Sequence, residues 1–171
     1  MTMSMFFNPR EIFEMAVQIE RNGKRFYREA ANTVKEDRLR GEFGLLSVME
    51  ENHEAVFQDL LRQVAMDAFS TEWYDPEGEA ALYLQTFING QVFDLARPAP
   101  PELVGPDANL KAILEWAIER EADSILFYTG LRELILSAPD KAKIETIINE
   151  EMGHVVLLSR RLAEVTKPNV L

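Results

Sequence analysis

The two histidines of the chain stand in the same local pattern, a glutamate followed three residues later by a histidine. These Glu-x-x-His motifs run from Glu50 to His53 and from Glu151 to His154, and they lie 101 residues apart. Residues three apart lie on one side of a helix, so both side chains of each motif can point to the same place. Carboxylate and imidazole together suit ions such as iron or manganese. The motifs therefore predict two equivalent sets of metal ligands.

A further pair of carboxylates repeats with the same offset. Glu20 and Glu121 are 101 residues apart, and each lies 30 residues before the glutamate of a motif. The offset also relates identical residues elsewhere, among them Ala16 and Ala117, Phe26 and Phe127, and Tyr27 and Tyr128. We therefore interpret the chain as two copies of one helical hairpin. The candidate metal ligands are Glu20, Glu50, His53, Glu121, Glu151 and His154.

Four long amphipathic segments must position these ligands. Apolar residues recur in them with a spacing near 3.6, which predicts α-helices. We expect the helices to begin near Pro9, Asp37, Asp107 and Ala138, each with more than 24 residues. Only a few residues join the first to the second and the third to the fourth, so each pair is predicted to be an antiparallel hairpin. The fold class is all-α, a four-helix bundle built from two helical hairpins.

We expect one domain over residues 1–171, with hairpins at 9–65 and 107–166 and a crossover at 66–106. The crossover is long enough to run the length of the bundle, as an up-down-down-up arrangement requires. Residues 78–93 are predicted to form a short fifth helix within it. The crossover either covers its own bundle or packs against a partner in a homodimer.

All six candidate ligands lie on the apolar stripes of their helices. Burying an ionised carboxylate without a partner costs several kcal/mol. Basic residues lie on flanking or opposite faces, namely Lys24, Arg25, Arg28, Arg120 and Arg132. Metal ions are therefore the natural counter-charge, and we expect two iron ions per chain, which manganese or zinc could replace. The alternative is a duplicated hairpin whose glutamates and histidines form only salt bridges.

Two tyrosines and two glycines accompany the ligands. Tyr27 and Tyr128 each follow a ligand glutamate by seven residues, or two turns. They are either core aromatics or functional residues. In the second case each tyrosine would donate a hydrogen bond to a ligand carboxylate or take up an oxidising equivalent. Gly23 and Gly153 interrupt predicted helices at a cost of roughly 1 kcal/mol each. Close helix approach or space beside the metals would explain them.

The composition excludes several classes of function. The chain has no cysteine, which excludes disulfides, iron–sulfur clusters and redox-active thiols. Its net charge of −11, without a basic stripe, argues against nucleic acid as a partner. No apolar run approaches the roughly 20 residues of a membrane span, so we expect no membrane partner and a cytoplasmic location.

These residues together resemble the signature of the ferritin-like di-iron carboxylate proteins. The segments 16–27 and 117–128, which end in Phe26-Tyr27 and Phe127-Tyr128, most resemble the rubrerythrin branch. The resemblance extends from about Pro9 to Val165. It implies that Glu50 and Glu151 bridge the two metals. It also implies that Glu20 is a terminal ligand on the His53 metal, and Glu121 on the His154 metal.

The chain departs from that branch in two ways. Full-length rubrerythrins have a rubredoxin-type iron site of four cysteines, so the resemblance implies here an external electron donor. Rubrerythrins also place an extra carboxylate three residues after the ligand at Glu121, where this chain has Ser124. The resulting six-ligand set is closer to the ferroxidase centre of bacterioferritin.

Three functions are consistent with this resemblance. The first is a redox enzyme of the rubrerythrin-like peroxidase type that reduces peroxide or dioxygen. The second is a ferroxidase or iron-handling protein with ferrous ion as its substrate. The third is a non-catalytic helical interaction module, either metal-binding or without a structural metal.

Overall fold

The part of the chain that the structure describes is all-α. The computed structural model describes residues 9–66, 75, 77–88, 98–105 and 107–167. The elements are α1 (Pro9–Thr33), α2 (Asp37–Met66), α3 (Glu79–Ile88), α4 (Leu110–Leu134) and α5 (Ala138–Thr166), with a 3₁₀ helix at Pro101–Leu103. The predicted bundle of four long helices with a short fifth helix is confirmed.

The helix ends agree with the sequence pattern except at α4. The third long helix was expected to begin near Asp107, and it begins three residues later. Its cap is Asn109, whose side chain accepts a hydrogen bond from the backbone N–H of Ala112. That bond satisfies one of the free N–H groups in the first turn, so the helix begins at Leu110. Of the predicted fifth helix, residues 89–93 lie outside the described residues.

Contacts between the hairpins give the direction of each helix. In α1 and α4, the early Glu20 contacts the late Tyr128. The late Tyr27 of α1 contacts the early Glu121 of α4, so these two helices are antiparallel. Contacts between α2 and α5 follow the same antiparallel order. The helices therefore run up-down-down-up, and the segment between α2 and α4 must return along the bundle.

The core consists of two apolar clusters separated by a polar layer. The first cluster includes Phe13, Ala16, Phe57, Leu60, Phe127, Leu131, Ile144 and Ile147. The second includes Phe26, Ala30, Phe43, Leu46, Ile113, Leu114 and Leu158. Each long helix thus passes from one cluster to the other and contributes buried polar residues between them. That layer holds the candidate ligands.

Helix α3 packs closely against α4 at Gly130. A Cβ atom at this position would lie 2.6 Å from Cε1 of Tyr83, so the absence of a side chain permits the contact. The Tyr83 hydroxyl donates to the backbone carbonyl of Leu126 over 3.1 Å. Nearby, Leu84 and Phe87 are buried and close one side of the first cluster. No helix among the described residues has the length and apolar character to span a membrane.

Candidate metal centre

The six predicted ligands meet in the polar layer. One comes from α1, two from α2, one from α4 and two from α5, and all six are buried. They are Glu20, Glu50, His53, Glu121, Glu151 and His154. The layer lies between the two apolar clusters, so packed helices position these side chains.

The ligand atoms form two overlapping groups. In each group, one nitrogen or oxygen atom per residue lies within 4.8 Å of the others. The groups are Glu20, Glu50, His53 and Glu151, and Glu50, Glu121, Glu151 and His154. Glu50 and Glu151 belong to both groups, whereas each histidine belongs to one. The arrangement thus has two halves with a shared pair of carboxylates.

The atoms at the centre are close together but are not hydrogen-bonded. His53 Nδ1 lies 3.0 Å from Oε1 of Glu151, and His154 Nδ1 lies 2.8 Å from its Oε2. Neither nitrogen makes a hydrogen bond, and neither Glu151 oxygen does. Glu20 Oε2 and Glu50 Oε1 are in the same situation. Buried polar atoms normally have partners, so converging lone pairs of this kind fit metal ions.

Another buried glutamate on α2 shows how a structural carboxylate differs. Glu54 lies one turn after Glu50 and is also buried, but Lys24 Nζ is 2.5 Å from its Oε2 and Arg21 binds its other oxygen. Burial raises the pKa of Glu54, and the two cations lower it below its usual value. No lysine or arginine pairs with Glu50 among the described ion pairs. Its charge is therefore left for another cation.

The titration of the carboxylates reflects this shortage of cations. Burial and the neighbouring Glu151 raise the pKa of Glu50 well above its usual value. Burial, together with Glu121 and Glu20, raises the pKa of Glu151 to about 8. The shared pair is therefore the most costly to ionise without a metal. This cost favours binding of positive charge between the two residues.

The histidines carry the compensating protons in the metal-free chain. Burial alone lowers the pKa of His53, but Glu151 and Glu20 outweigh it and raise the pKa to about 12. For His154, the same opposition of burial and carboxylates gives a pKa of about 12. The raised pKa values of Glu50 and Glu151 keep protons on this shared pair as well near neutral pH. A metal ion that binds in the layer must therefore displace protons from the carboxylates and the imidazoles.

Each of the two predicted tyrosines forms a hydrogen bond with a glutamate on the opposite helix. The Tyr27 hydroxyl on α1 donates to Oε1 of Glu121 on α4, and the Tyr128 hydroxyl on α4 donates to Oε1 of Glu20 on α1. Both rings are buried, and burial with the adjacent carboxylate raises the pKa of each hydroxyl well above its usual value. The hydroxyls therefore stay protonated and orient the two glutamates that belong to a single group.

A small cavity opens beside the polar layer between α1 and α4. Its volume is about 30 Å³, and its lining includes Gly23, Glu50, Glu121 and Ser124. A Cβ atom at Gly23 would lie 2.8 Å from Glu50 Oε2, so this glycine leaves room for the carboxylate. At Gly153 a Cβ atom would meet nothing within 4 Å, and the spatial explanation predicted for that glycine is wrong.

One polar contact of the centre was not among the sequence-based expectations. His53 Nε2 lies 2.7 Å from Oε2 of Glu150 on α5, the residue before Glu151. The corresponding Nε2 of His154 makes no hydrogen bond. The residue 101 positions before Glu150 is Met49, so the sequence repeat breaks at this point. Most other positions of the repeat also differ between the hairpins, so no sequence signal singles out this contact.

Comparison with known families agrees with this geometry. A protein-family model described as rubrerythrin matches residues 11–162, nearly the whole chain. The chain belongs to the rubrerythrin family. No curated protein matches it in sequence.

A solved structure also resembles this rubrerythrin-family chain. It is a crystal structure from Thermotoga maritima, described as a ferritin-like diiron-carboxylate protein, with 23% sequence identity and a TM-score of 0.68. The alignment covers 93% of this chain and 97% of that one. The similarity shows a ferritin-like fold over almost the full length of both chains.

Proposed function

We propose that the chain is a di-iron redox protein that reduces peroxide or dioxygen in its polar layer. The observation that carries this proposal is the double group of buried carboxylate and imidazole atoms that converge without hydrogen bonds. Glu50 and Glu151 would bridge two ions. Glu20 with His53, and Glu121 with His154, would complete the two halves. The four carboxylates would balance the charge of two divalent ions.

The donor set suits the chemistry. Mixed oxygen and imidazole ligands fit iron or manganese better than metals that prefer thiolates. Two ferrous ions bound here would supply the two electrons needed to cleave an O–O bond. Peroxide takes up those electrons and two protons to give two water molecules. The residues of the layer keep the ligands in place and exclude bulk water.

The cavity beside Gly23 supports a small substrate. Its volume of about 30 Å³ is close to that of two water-sized spheres, enough for the two oxygen atoms of peroxide or dioxygen. Organic ligands typically occupy sites of roughly 300–1,000 Å³. The Ser124 hydroxyl on the cavity wall donates to the carbonyl of Arg120, so its oxygen can accept a hydrogen bond from a bound peroxide.

The electrons would come from a separate donor. The sequence contains no cysteine, so it has no rubredoxin-type iron site of its own. The centre therefore needs an external reductant after each turnover.

A ferroxidase is the second candidate, and Ser124 favours it. The position three residues after Glu121 lies on the cavity wall and offers a hydroxyl in place of a seventh carboxylate. The centre then keeps six ligands, three from each hairpin. In this function, ferrous ion is the substrate, and dioxygen or peroxide accepts its electrons in many successive turnovers.

Metal analysis and oxidant kinetics test the proposal. The purified chain, reconstituted with ferrous iron without oxygen, should bind about two ions. The loaded chain should then reduce peroxide or dioxygen with a stoichiometry of about two iron ions oxidised per chain, whereas many iron equivalents oxidised per chain would show a ferroxidase. A chain that binds no metal would contradict both functions and leave a non-catalytic interaction module.

A further inference from the structure

The two histidines of the centre differ on their outer sides. His53 uses Nδ1 toward the ligand carboxylates, and its Nε2 donates to Oε2 of Glu150 over 2.7 Å. His154 also turns Nδ1 toward the centre, but its Nε2 is buried and makes no hydrogen bond. His53 therefore has a carboxylate next to both of its ring nitrogens, whereas His154 has carboxylates next to Nδ1 alone.

The difference comes from the sequence and not from a local rearrangement. The repeat that relates the two hairpins carries Glu50 onto Glu151 and His53 onto His154. The same repeat carries Met49 onto Glu150, the residues that precede the two shared carboxylates. Met49 is half-buried and has no carboxylate to accept a hydrogen bond from an imidazole. The centre is therefore symmetric in its ligands and asymmetric around its histidines.

A carboxylate behind a metal-binding histidine has a known physical effect. It fixes the ring orientation and the tautomer, so that the other nitrogen presents its lone pair to the metal, and it makes that nitrogen more basic. Loss of such a partner typically costs about 10- to 100-fold in metal affinity. Glu150 supplies this partner across the α2–α5 interface, although its own side chain is exposed to solvent.

We infer that Glu150 is a positioning residue that makes the His53 half of the centre bind its ion more tightly than the His154 half. The two ions then load in sequence, with the His53 half filled first, and they leave in the reverse order. The inference rests on the proposed di-metal function. It adds an order of metal loading, which two equivalent halves of the centre would not produce.

Titration with Co²⁺, followed by calorimetry and by visible absorption, tests this order. The wild-type chain should bind in two steps separated by about 10- to 100-fold in affinity. In Glu150→Met, which copies the residue at Met49, the tighter step should weaken by about that factor and the steps should merge. Glu150→Gln should lie between, because its amide oxygen can still accept from His53 Nε2.

The converse variant adds the missing partner. In Met49→Glu a carboxylate stands at the equivalent position before Glu50, and the weaker step should strengthen while the tighter step stays unchanged. Glu51→Met is the matched control, because it removes an exposed charge on α2 that faces Lys24 and touches neither histidine. Both binding steps of that control should equal those of the wild type.

The outcomes separate this inference from the proposed function. Two steps of equal affinity in the wild type, or a Glu150→Met variant with both steps unchanged or equally weakened, would overturn the order of loading and leave the metal centre intact. A wild-type chain that binds no Co²⁺ would overturn the metal centre itself. Far-UV circular dichroism checks that each variant is folded.

Discussion

The hairpin α1–α2 and the hairpin α4–α5 make the same contribution to the polar layer and differ around it. Each provides two glutamates, one histidine and one tyrosine, and each tyrosine donates to a glutamate of the other hairpin. Outside this set most positions differ between the hairpins. Met49 stands opposite Glu150, and Gly23 stands opposite Ser124.

Glu54 is another position at which the two hairpins differ. It is buried among two cations in the first hairpin, and the equivalent position in the second is the apolar Val155. Residues that only hold helices together can thus change type, because any well-packed side chain serves. Groups that share one centre are tied to one another by geometry and charge. The difference identifies the symmetric set as the part of the molecule constrained by chemistry.

Removal of a shared carboxylate should have the largest effect. In Glu50→Ala or Glu151→Ala, both halves lose a ligand, so metal content should fall from about two ions per chain to nearly none. Elemental analysis after reconstitution measures this. The two variants should behave alike, although the residues lie in different hairpins.

Glu54→Ala is the matched control for those variants. It removes a buried glutamate of α2 that pairs with Lys24 and lies outside both ligand groups. It should lose stability and keep about two ions. Retention of two ions by Glu50→Ala or Glu151→Ala would show that the ligands are assigned wrongly.

The pH dependence of stability should reverse when metal binds. Glu151 has an unfolded pKa near 4.5 and a folded pKa of about 8, so the metal-free fold loses stability as pH rises through this window. The pKa values of His53 and His154, raised to about 12, add a loss in the same direction above pH 6.5. The lowered pKa of Glu121 acts only below pH 4.5.

Thermal unfolding between pH 5 and pH 8 measures this slope. The metal-free chain should lose on the order of a few kcal/mol across the range. With a divalent metal in excess the stability should increase with pH, because the metal displaces the protons of the ligands. Slopes of the same sign with and without metal would contradict the charge balance proposed for the layer.

The tyrosines test whether the two hairpins are equivalent. Tyr27→Phe and Tyr128→Phe each remove one buried donor to a glutamate, at an expected cost of roughly 1–3 kcal/mol in unfolding free energy. Urea denaturation should give the same loss for both within error. A clearly larger loss for one tyrosine would show that the asymmetry extends into the ligand set.

Gly23 tests a smaller difference between the hairpins. A Cβ atom in Gly23→Ala would push Glu50 from its position, so metal affinity should fall by about tenfold. At the equivalent position of the other hairpin, Ser124→Ala should leave affinity unchanged. Calorimetric titration measures both variants, and equal affinities for wild type and Gly23→Ala would contradict the close contact.

Gly153→Ala is the corresponding control for the helix. Its Cβ atom meets nothing within 4 Å, so the variant should keep its metal affinity and gain up to about 1 kcal/mol in stability.

The sequence predicted the bundle and the clustering of the six candidate ligands because both depend on periodicity. Helical spacing placed each ligand on an inward face, and the repeat showed that the faces must converge. The start of α4 was expected three residues too early because Asp107 and Asn109 are both good caps. Only the backbone decides between them, and it places the first turn after Asn109.

The surroundings of the ligands could not be predicted in the same way. The contact between Glu150 and His53 depends on which exposed side chain reaches across the α2–α5 interface. Gly23 and Gly153 both lie in helix interiors, but a Cβ atom would contact Glu50 at Gly23 and nothing at Gly153. Such distances follow from packing between helices, which one sequence does not specify.

Anomalous diffraction at the iron absorption edge tests the central claim most directly. Crystals of the chain loaded with ferrous iron should show two peaks in the polar layer. One should lie beside His53 and Glu20 and the other beside His154 and Glu121, with Glu50 and Glu151 between them. A single peak, or no peak among these six residues, would contradict the di-metal centre.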